Sequence, residues 1–348
     1  MTTEAVLLER VQALRVPVGR PGTPDDWKDW YHFVLLDLEG GTRAIANVAL
    51  IGGEGDGEIQ ATLVVHRPEG GGARPVAYGT ATTREWRAGM VRAEPLQIAG
   101  EGVALAYRQR RFELRLDAAA DGIGLALAAQ PHATPLLVTD GAPFGSGFIG
   151  WGLVPGLAVA GELHVCEERI AIGEGWFCYQ DHNFGRFRWG EDFGWEWLTA
   201  HARSASGESI TLVVDWRTNR GHTVGGLPYV FVYVDGALAK VFVGPALRLR
   251  WHWSRGAALP LRLPGAMASI RAGETAAEPL LIELVARDER DRLEASVAVD
   301  GFVEIVAPDN RSTRHTRIGE TTGSASIAFA HRDARIEARG WAYGEYTH

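Results

Sequence analysis

The chain has 348 residues, 46% of them apolar and 22% charged, with a formal net charge of −8. Those values fit an ordinary globular protein and exclude an intrinsically disordered one, and the length suits two domains at about 150 residues each. The acidic balance, with no Lys/Arg run longer than Arg110-Arg111, argues against a nucleic-acid partner.

In chain order, only the first element reads as helix. Leu7, Val11 and Leu14 share one stripe of a helix that Thr3 can cap and Pro17 ends. The same stretch carries Glu4 and Glu9 and no basic run before an apolar core, so it does not read as a secretory signal. No apolar run approaches the ~20 residues that span a bilayer, and the expectation is a soluble, cytoplasmic protein. Beyond the helix the pattern has period two. Tyr31, Phe33 and Leu35 face one side, as do Ile59, Ala61, Leu63 and Val65, and the run from Arg111 to Leu116 alternates strictly.

Turn signals separate these runs: Glu39-Gly40-Gly41, the glycine-rich stretch from Gly52 to Gly57, Glu69-Gly70-Gly71-Gly72, Asp121-Gly122, Asp140-Gly141, Asp235-Gly236 and Asp300-Gly301. Many short strands with almost no helix between them predict an all-β chain of antiparallel barrels or sandwiches. Gly145-Ser146-Gly147 opens no helix and is not a phosphate loop. The apolar, breaker-rich stretch from Pro143 to Gly156 reads as an inter-domain passage, and the boundary is placed at residues 160–170, dividing the chain into 1–165 and 166–348. Cys166 and Cys178 are too few for a disulfide framework and read as small buried thiols. Glu162, His164 and Cys166 alternate on one strand face, but no second spaced pair completes a metal site, so they read as core residues. No metal or cofactor is expected.

The densest segment runs from Gly175 to His201, and seven of the twelve tryptophans fall between Trp176 and Trp253. In extended strands Phe193, Trp195, Trp197, Thr199 and His201 share a face, as do Tyr229, Phe231 and Tyr233, while Leu247, Leu249, Trp251 and Trp253 oppose Arg248, Arg250 and His252. Such ladders fill a core or line a pocket. Gln180, Asp181, His182 and Asn183 stand in succession inside an aromatic strand, and leaving each of them buried and unsatisfied would cost roughly 1–3 kcal/mol. That cost favours a site. Asp181 and His182 are consecutive, so a flat strand sends them to opposite faces unless the chain bends between Asn183 and Gly185.

The run Asp181-His182-Asn183-Phe184-Gly185, with the upstream Gly175 and the downstream Trp195-Glu196-Trp197, resembles the signature of the AttH/carotenoid 1,2-hydratase (hydroxyneurosporene synthase) superfamily. Tyr31-His32-Phe33 and the terminal run from Gly340 to Glu345 are similar too, so the resemblance spans nearly the whole chain. It implies two lipocalin-like antiparallel β-barrel or sandwich domains packed together, with a substrate pocket, in a group that includes carotenoid hydratases, terpenoid cyclases and fungal pericyclases. Phe184 stands where the family commonly has Trp. The hydratases' Tyr and Asp two residues apart find their nearest counterpart in Val213-Val214-Asp215, which lacks the Tyr.

The function expected from this combination is an enzyme acting on a hydrophobic isoprenoid- or polyene-like molecule by acid-initiated hydration, isomerisation or cyclisation. Asp181 or Asp215 would supply the proton from a dry site, and His182 would orient the acid or accept a proton. Trp176, Tyr179, Gln180, Asn183, Phe184, Trp189, Trp195, Trp197, Tyr229 and Tyr233 are the expected substrate contacts, their rings stabilising a carbocation. Three alternatives stand beside this one. A pericyclase would fold a polyene into a reactive shape, and a carrier would only bind an apolar ligand. A sugar-binding enzyme would use Glu191 and Asp192, which read better as turn residues. The partner expected is an apolar small molecule; oligomeric state and transient membrane contact stay open.

Overall fold

The computed structural model describes residues 3–18, 24–67, 76–118, 122–254, 277–309, 314–332 and 334–348. The turn expected at Glu69-Gly70-Gly71-Gly72, and Asp121 of another, lie outside the described residues. Among the described residues the architecture is all-β with one short α-helix at the N-terminal end, and every ladder between named strands is antiparallel. Two compact units divide the chain, Met1–Arg188 and Trp189–His348. Among the described residues no helix is long and apolar enough to cross a membrane.

The first unit begins with α1 (Thr3–Gln12), followed by β1 (Trp27–Asp37), β2 (Arg43–Ile51), β3 (Glu58–His66), β4 (Val76–Arg84), β5 (Val91–Arg92), β6 (Leu96–Gly100) and β7 (Val103–Arg108). It continues with β8 (Arg111–Ala118), β9 (Ile123–Pro131), β10 (Leu136–Phe144), β11 (Gly147–Val165), β12 (Glu168–Ile172) and β13 (Trp176–Arg186). The sheet order is β4-β3-β2-β1-β13-β11-β9-β8-β7-β6-β5, with β10 and β12 also paired to β11. The sheet curls until β4 meets β8 and β9, and one set of alternating residues fills the interior, including Tyr31, Phe33, Leu35, Leu63, Leu105 and Phe112. Helix α1 adds Leu8 to that core. Leu8, Val11 and Gln12 are its buried positions, rather than the expected stripe through Leu7 and Leu14. The helix ends at Gln12 because Asp29 captures the next backbone amides, accepting from Arg15 N at 2.6 Å and Val16 N at 2.9 Å.

The compact units divide between Arg188 and Trp189, whereas the sequence reading places the boundary at 165/166. Strand β13 pairs along its whole length with β1 and also with β11, so the central motif belongs to the first unit. The stretch from Pro143 to Gly156 is no inter-domain passage; it forms the β10–β11 hairpin and the start of β11. Its glycines admit close neighbours: a Cβ on Gly150 would lie 2.1 Å from the Phe184 ring. Gly185 has the same purpose. The register runs without a break from Trp27↔Arg186 to Asp37↔Trp176, so the strand does not bend there; a Cβ on Gly185 would sit 2.1 Å from the Phe148 carbonyl oxygen. Cys178 is buried as expected, but Cys166 is exposed, at positive φ in the β11–β12 turn, and both thiols are free.

The second unit holds β14 (Gly194–Ser204), β15 (Ser209–Thr218), β16 (Tyr229–Val234), β17 (Ala237–Val243), β18 (Leu247–Trp253), β19 (Pro279–Arg287), β20 (Arg292–Pro308), β21 (His315–His331) and β22 (Ala334–Thr347). Their order is β17-β16-β15-β14-β22-β21-β20-β19-β18. Leu198, Leu212, Val214, Val230, Ile282, Leu284, Leu293 and Phe329 form its core. The two edge strands are not paired to each other. Lys240 on β17 ion-pairs instead with Asp288 and Asp291 in the turn between β19 and β20. Asp235-Gly236 makes a tight turn with both residues at positive φ. Asp140-Gly141 and Asp300-Gly301 lie inside β10 and β20, where the ladder register shifts, and act as bulges rather than hairpin ends.

Replacing Gly185 with Ala should cost about 1–3 kcal/mol of unfolding free energy through overpacking. Gly173→Ala, where a Cβ meets nothing within 4 Å, should stay within about 0.5 kcal/mol; urea denaturation of both variants measures the contrast.

Candidate functional site

The unbroken β1–β13 ladder divides the polar quartet between two faces of the first sheet. Gln180, His182 and Phe184 lie on the core side. His182 Nδ1 donates to the Val11 carbonyl at 2.7 Å, and its Nε2 lies 2.5 Å from Asp29 Oδ1. A carbonyl oxygen only accepts, so Nδ1 carries a hydrogen, and the Nε2–Asp29 contact holds a second proton between the two groups. Both side chains are fully buried. The Tyr31 ring stacks on His182 at 4.2 Å and its hydroxyl donates to the Gln12 carbonyl, while the Gln12 amide donates to Gln180 at 2.6 Å. The Arg15 guanidinium covers Phe184. His182 therefore fastens residues 11–16 to the first barrel.

Asp181 and Asn183 point to the other side with Tyr179. The Tyr179 hydroxyl donates to Asp181 Oδ2 at 2.8 Å and Asn183 Nδ2 donates to Oδ1 at 2.7 Å. His32 Nδ1 stands 3.8 Å from the same carboxyl, and burial lowers the His32 pKa to about 3, so its ring is neutral. Both Asp181 oxygens already accept hydrogen bonds. Trp176 is only partly buried, against the margin of the first core.

The second sheet gathers what sequence spacing separates. On β14 the residues Trp195, Trp197, Thr199 and His201 share one face, as the period predicts. Trp197 is registered with Asp215 on β15 and with Glu345 on β22; Asp215 faces Tyr229 on β16, and Glu345 faces Glu320 on β21. Cross-strand partners lie on the same face, so Tyr229, Asp215, Trp197, Glu345 and Glu320 form one transverse row. The next row contains Phe231, Val213, Thr199, Tyr343 and Thr322, and Tyr233 lies one row further. Glu196, quoted in the Trp-Glu-Trp run, faces the core instead, held by His222 and by Trp251 Nε1, each at 2.9 Å.

The row is rich in carboxyl groups with displaced protonation. Burial raises Asp215 above its ordinary range, opposed by Arg217, whose Nε lies 3.4 Å away, and by a bond from Tyr229. Arg217 Nη2 also donates to the Tyr229 hydroxyl at 2.8 Å. Burial pushes Glu345 up to about 7, opposed by the 2.6 Å bond that Trp195 Nε1 donates to Oε2. Glu320 is raised well above its ordinary value by burial and then by the Glu345 charge. Thr199 Oγ1, Tyr233 OH and Glu320 Oε2 are buried and make no hydrogen bond among the described residues.

The expected site residues thus fall into three groups. Trp195, Trp197, Asp215, Tyr229 and Tyr233 are together on the second sheet, with Trp189 near Phe193 in the same unit. Tyr179, Asp181 and Asn183 are together on the first sheet, and Gln180, His182 and Phe184 lie on its opposite face. Asp181 and His182 do not cooperate, because an unbent strand separates them. The expectation missed Arg217, Glu320, Tyr343 and Glu345. Tyr343 and Glu345 lie in the terminal run already noted, where period two puts Trp341, Tyr343 and Glu345 on one face. Across the ladder Asp215 is registered with Tyr229.

No family model and no curated protein matches the sequence. Solved structures do. An AttH protein of Nitrosomonas europaea superposes with a TM-score of 0.58 at 14% identity, over 94% of this chain and 99% of that one. Kievitone hydratase of Nectria haematococca gives 0.58 at 12%, over 95% and 94%. CghA in complex with Sch210972 gives 0.55 at 10%, over 97% and 95%. The fold is the lipocalin-like one with two β-domains. Within that class it is the fold of the AttH-type proteins.

Two outcomes test this geometry. His182→Ala leaves Asp29 as an uncompensated buried charge and should cost about 3–5 kcal/mol, with faster proteolysis of residues 3–18; unfolding and limited digestion measure both. For Glu345 the folded pKa of about 7 exceeds the ordinary 4.5, so the folded state keeps a proton the unfolded chain has lost. Its contribution is full below pH 4.5 and declines as pH rises through 7. The stability of Glu345→Gln relative to wild type should therefore increase across that window, and a flat difference would contradict the shift.

Proposed function

We propose that the protein is an enzyme of the lyase or isomerase kind that acts on an apolar, isoprenoid- or polyene-like molecule at the aromatic face of the second sheet. The observation that carries this reading is the set of buried polar atoms on that face with no hydrogen bond among the described residues: Thr199 Oγ1, Tyr233 OH and Glu320 Oε2. Each such group costs roughly 1–3 kcal/mol when left unmatched, and a bound molecule with a few polar atoms would relieve that cost. The rings of the face are those of Trp195, Trp197, Tyr229, Phe231 and Tyr343, which suit apolar carbon and can stabilise a cation through ring faces.

Carboxyl groups kept protonated by burial are the acids that alkene hydration, isomerisation or cyclisation requires at neutral pH. Asp215, held between Arg217 and Tyr229, is placed to act on the substrate as acid or as the anion beside a developing cation. Asp181 and His182 take structural parts in this reading, since their hydrogen-bonding capacity is spent within the first unit. Kievitone hydratase shares the fold, which supports the hydration branch. CghA, a pericyclase, supports a second reading, in which the hydroxyls of Thr199 and Tyr233 polarise a carbonyl and no proton is transferred.

The test is incubation of the purified protein with a panel of linear and cyclic isoprenoid polyenes, followed by mass spectrometry. A product with one added water, or of unchanged mass and altered retention, is expected. Asp215→Asn should lower turnover by about 10²-fold or more, and Trp197→Ala should weaken it as well. Full activity in both variants would remove the site from the second sheet. Retention of an unaltered polyene, with no conversion of any panel member, would indicate a carrier. Loss in Trp197→Ala with none in Asp215→Asn would favour the pericyclase.

A further inference from the structure

We infer that the second sheet carries an anion site of its own, in which Arg203 and Arg339 hold the diphosphate group of a small organic ester. The site lies further along β14 on the face that bears Trp197, and it does not depend on where the chemistry takes place. A groove of about 800 Å³ opens there, lined by Arg203, Glu283, Ser296, Ser326, Glu337 and Arg339 among others of the second unit. The ladder register places Arg203 opposite Arg339, Arg339 opposite Ser326, and Ser326 opposite Ser296. These four side chains stand in one transverse row, about 14 Å from end to end at the spacing of neighbouring strands. Their sequence neighbours Ala202, Ala338, Ile327 and Ala295 turn the other way, into the core.

Like charges set directly opposite one another destabilise a sheet, and nothing within the unit relieves this pair. Neither Arg203 nor Arg339 makes an ion pair or a hydrogen bond among the described residues. The carboxylates that share the groove are engaged with other bases. Glu337 accepts from Arg335 Nε at 2.9 Å, Glu294 accepts from Arg292 Nε at 3.0 Å, and Glu283 Oε2 lies 2.6 Å from His252 Nε2. On β18, Arg250 stands opposite Glu283 and Arg248 opposite Val285. Arginines therefore outnumber carboxylates on this stretch of the face, although the whole chain carries a formal charge of −8. Arg203 and Arg339 are both exposed, so an arriving anion meets them without first breaking an ion pair.

The number and kind of donors select the ligand. A guanidinium presents five N–H donors in a planar fork, and one such fork satisfies a carboxylate. Two forks on neighbouring strands, with the Ser326 hydroxyl beside them and the Ser296 hydroxyl beyond, ask for more acceptor oxygens and more negative charge than a carboxylate carries. Two linked phosphoryl groups supply both. Neither serine makes a hydrogen bond among the described residues, so both hydroxyls are open to a ligand. The organic part of the ester has its place over Val285 and Ala328, the uncharged members of the next row of the groove.

Calorimetric titration of the full chain with inorganic diphosphate tests the site. Wild type should bind diphosphate and methyl diphosphate, and should bind inorganic phosphate and acetate about 10-fold more weakly or worse. Arg203→Ala and Arg339→Ala should each weaken diphosphate binding by about 10-fold or more. Arg203→Lys keeps the charge but loses the fork, and should weaken it by about threefold or more. Arg115→Ala, on the exposed side of β8, should change it by less than about twofold. Thermal melting adds a readout that a structural role would move the other way. Without anion both alanine variants should melt at or above the wild-type temperature, since a like-charge pair is relieved, and diphosphate should raise the wild-type temperature alone. No binding by wild type at millimolar diphosphate and low salt overturns the site, as do alanine variants that bind like wild type or an equal loss in Arg115→Ala. Acetate bound as tightly as diphosphate, or methyl diphosphate refused, overturns the ligand class. Alanine variants that melt lower without anion would make the two arginines braces of the sheet and overturn the inference as well.

Discussion

A β-strand sends successive side chains to opposite sides, and an antiparallel ladder places registered partners on the same side. In this protein that constraint decides which groups meet. Asp181 and His182 are chain neighbours, yet one bonds Tyr179 and Asn183 while the other bonds Asp29 and Val11 across the sheet. Trp197, Asp215, Tyr229, Glu345 and Glu320 come from five strands and stand in one row. Proximity here is a property of register, and the chemistry inherits it.

Both units bury polar atoms without a hydrogen bond among the described residues, Gln180 Nε2 and Trp86 Nε1 in the first, but they differ in how their buried acidic groups are matched. In the first, the charged members of the central motif are matched: Asp29 receives two backbone amides and the His182 ring, and both Asp181 oxygens are occupied. A satisfied buried network rigidifies a fold and leaves little to offer a ligand. In the second, Thr199 Oγ1, Tyr233 OH and Glu320 Oε2 stand buried without a hydrogen bond among the described residues. The same low dielectric that holds the first network together makes the second set costly.

Much of this was legible in the chain itself. Alternation at Tyr31, Phe33 and Leu35, and turns such as Asp235-Gly236, announce antiparallel sheets because a pleated strand and a left-handed turn each demand those residue types. The aromatic ladder through Trp195 and Trp197 was visible for the same reason, and so was Asp215. One misreading has a plain cause. The breaker-rich run Pro143–Gly156 was taken as a crossing between domains, whereas glycine here, as at Gly185, mostly admits a neighbour too close for a Cβ. The division of the chain was displaced accordingly, since nothing in the composition around residue 165 reveals that β13 pairs with β1. The Glu320–Glu345 pairing was hidden for a deeper reason: it depends on which rung of β21 meets which rung of β22, and no local pattern encodes that.

The second sheet ends in two edges, and Lys240 bridges towards the β19–β20 turn through Asp288 and Asp291 rather than through a further backbone ladder. Peptide hydrogen bonds are nearly indifferent to dissolved electrolyte, but charges this close to solvent are shielded by it, with a reach of about 8 Å at physiological ionic strength. The seam is therefore where the medium can address the interior of the second unit: saltier surroundings loosen its fastening while the packed strands elsewhere hold. A barrel closed by backbone alone would have no such adjustable clasp.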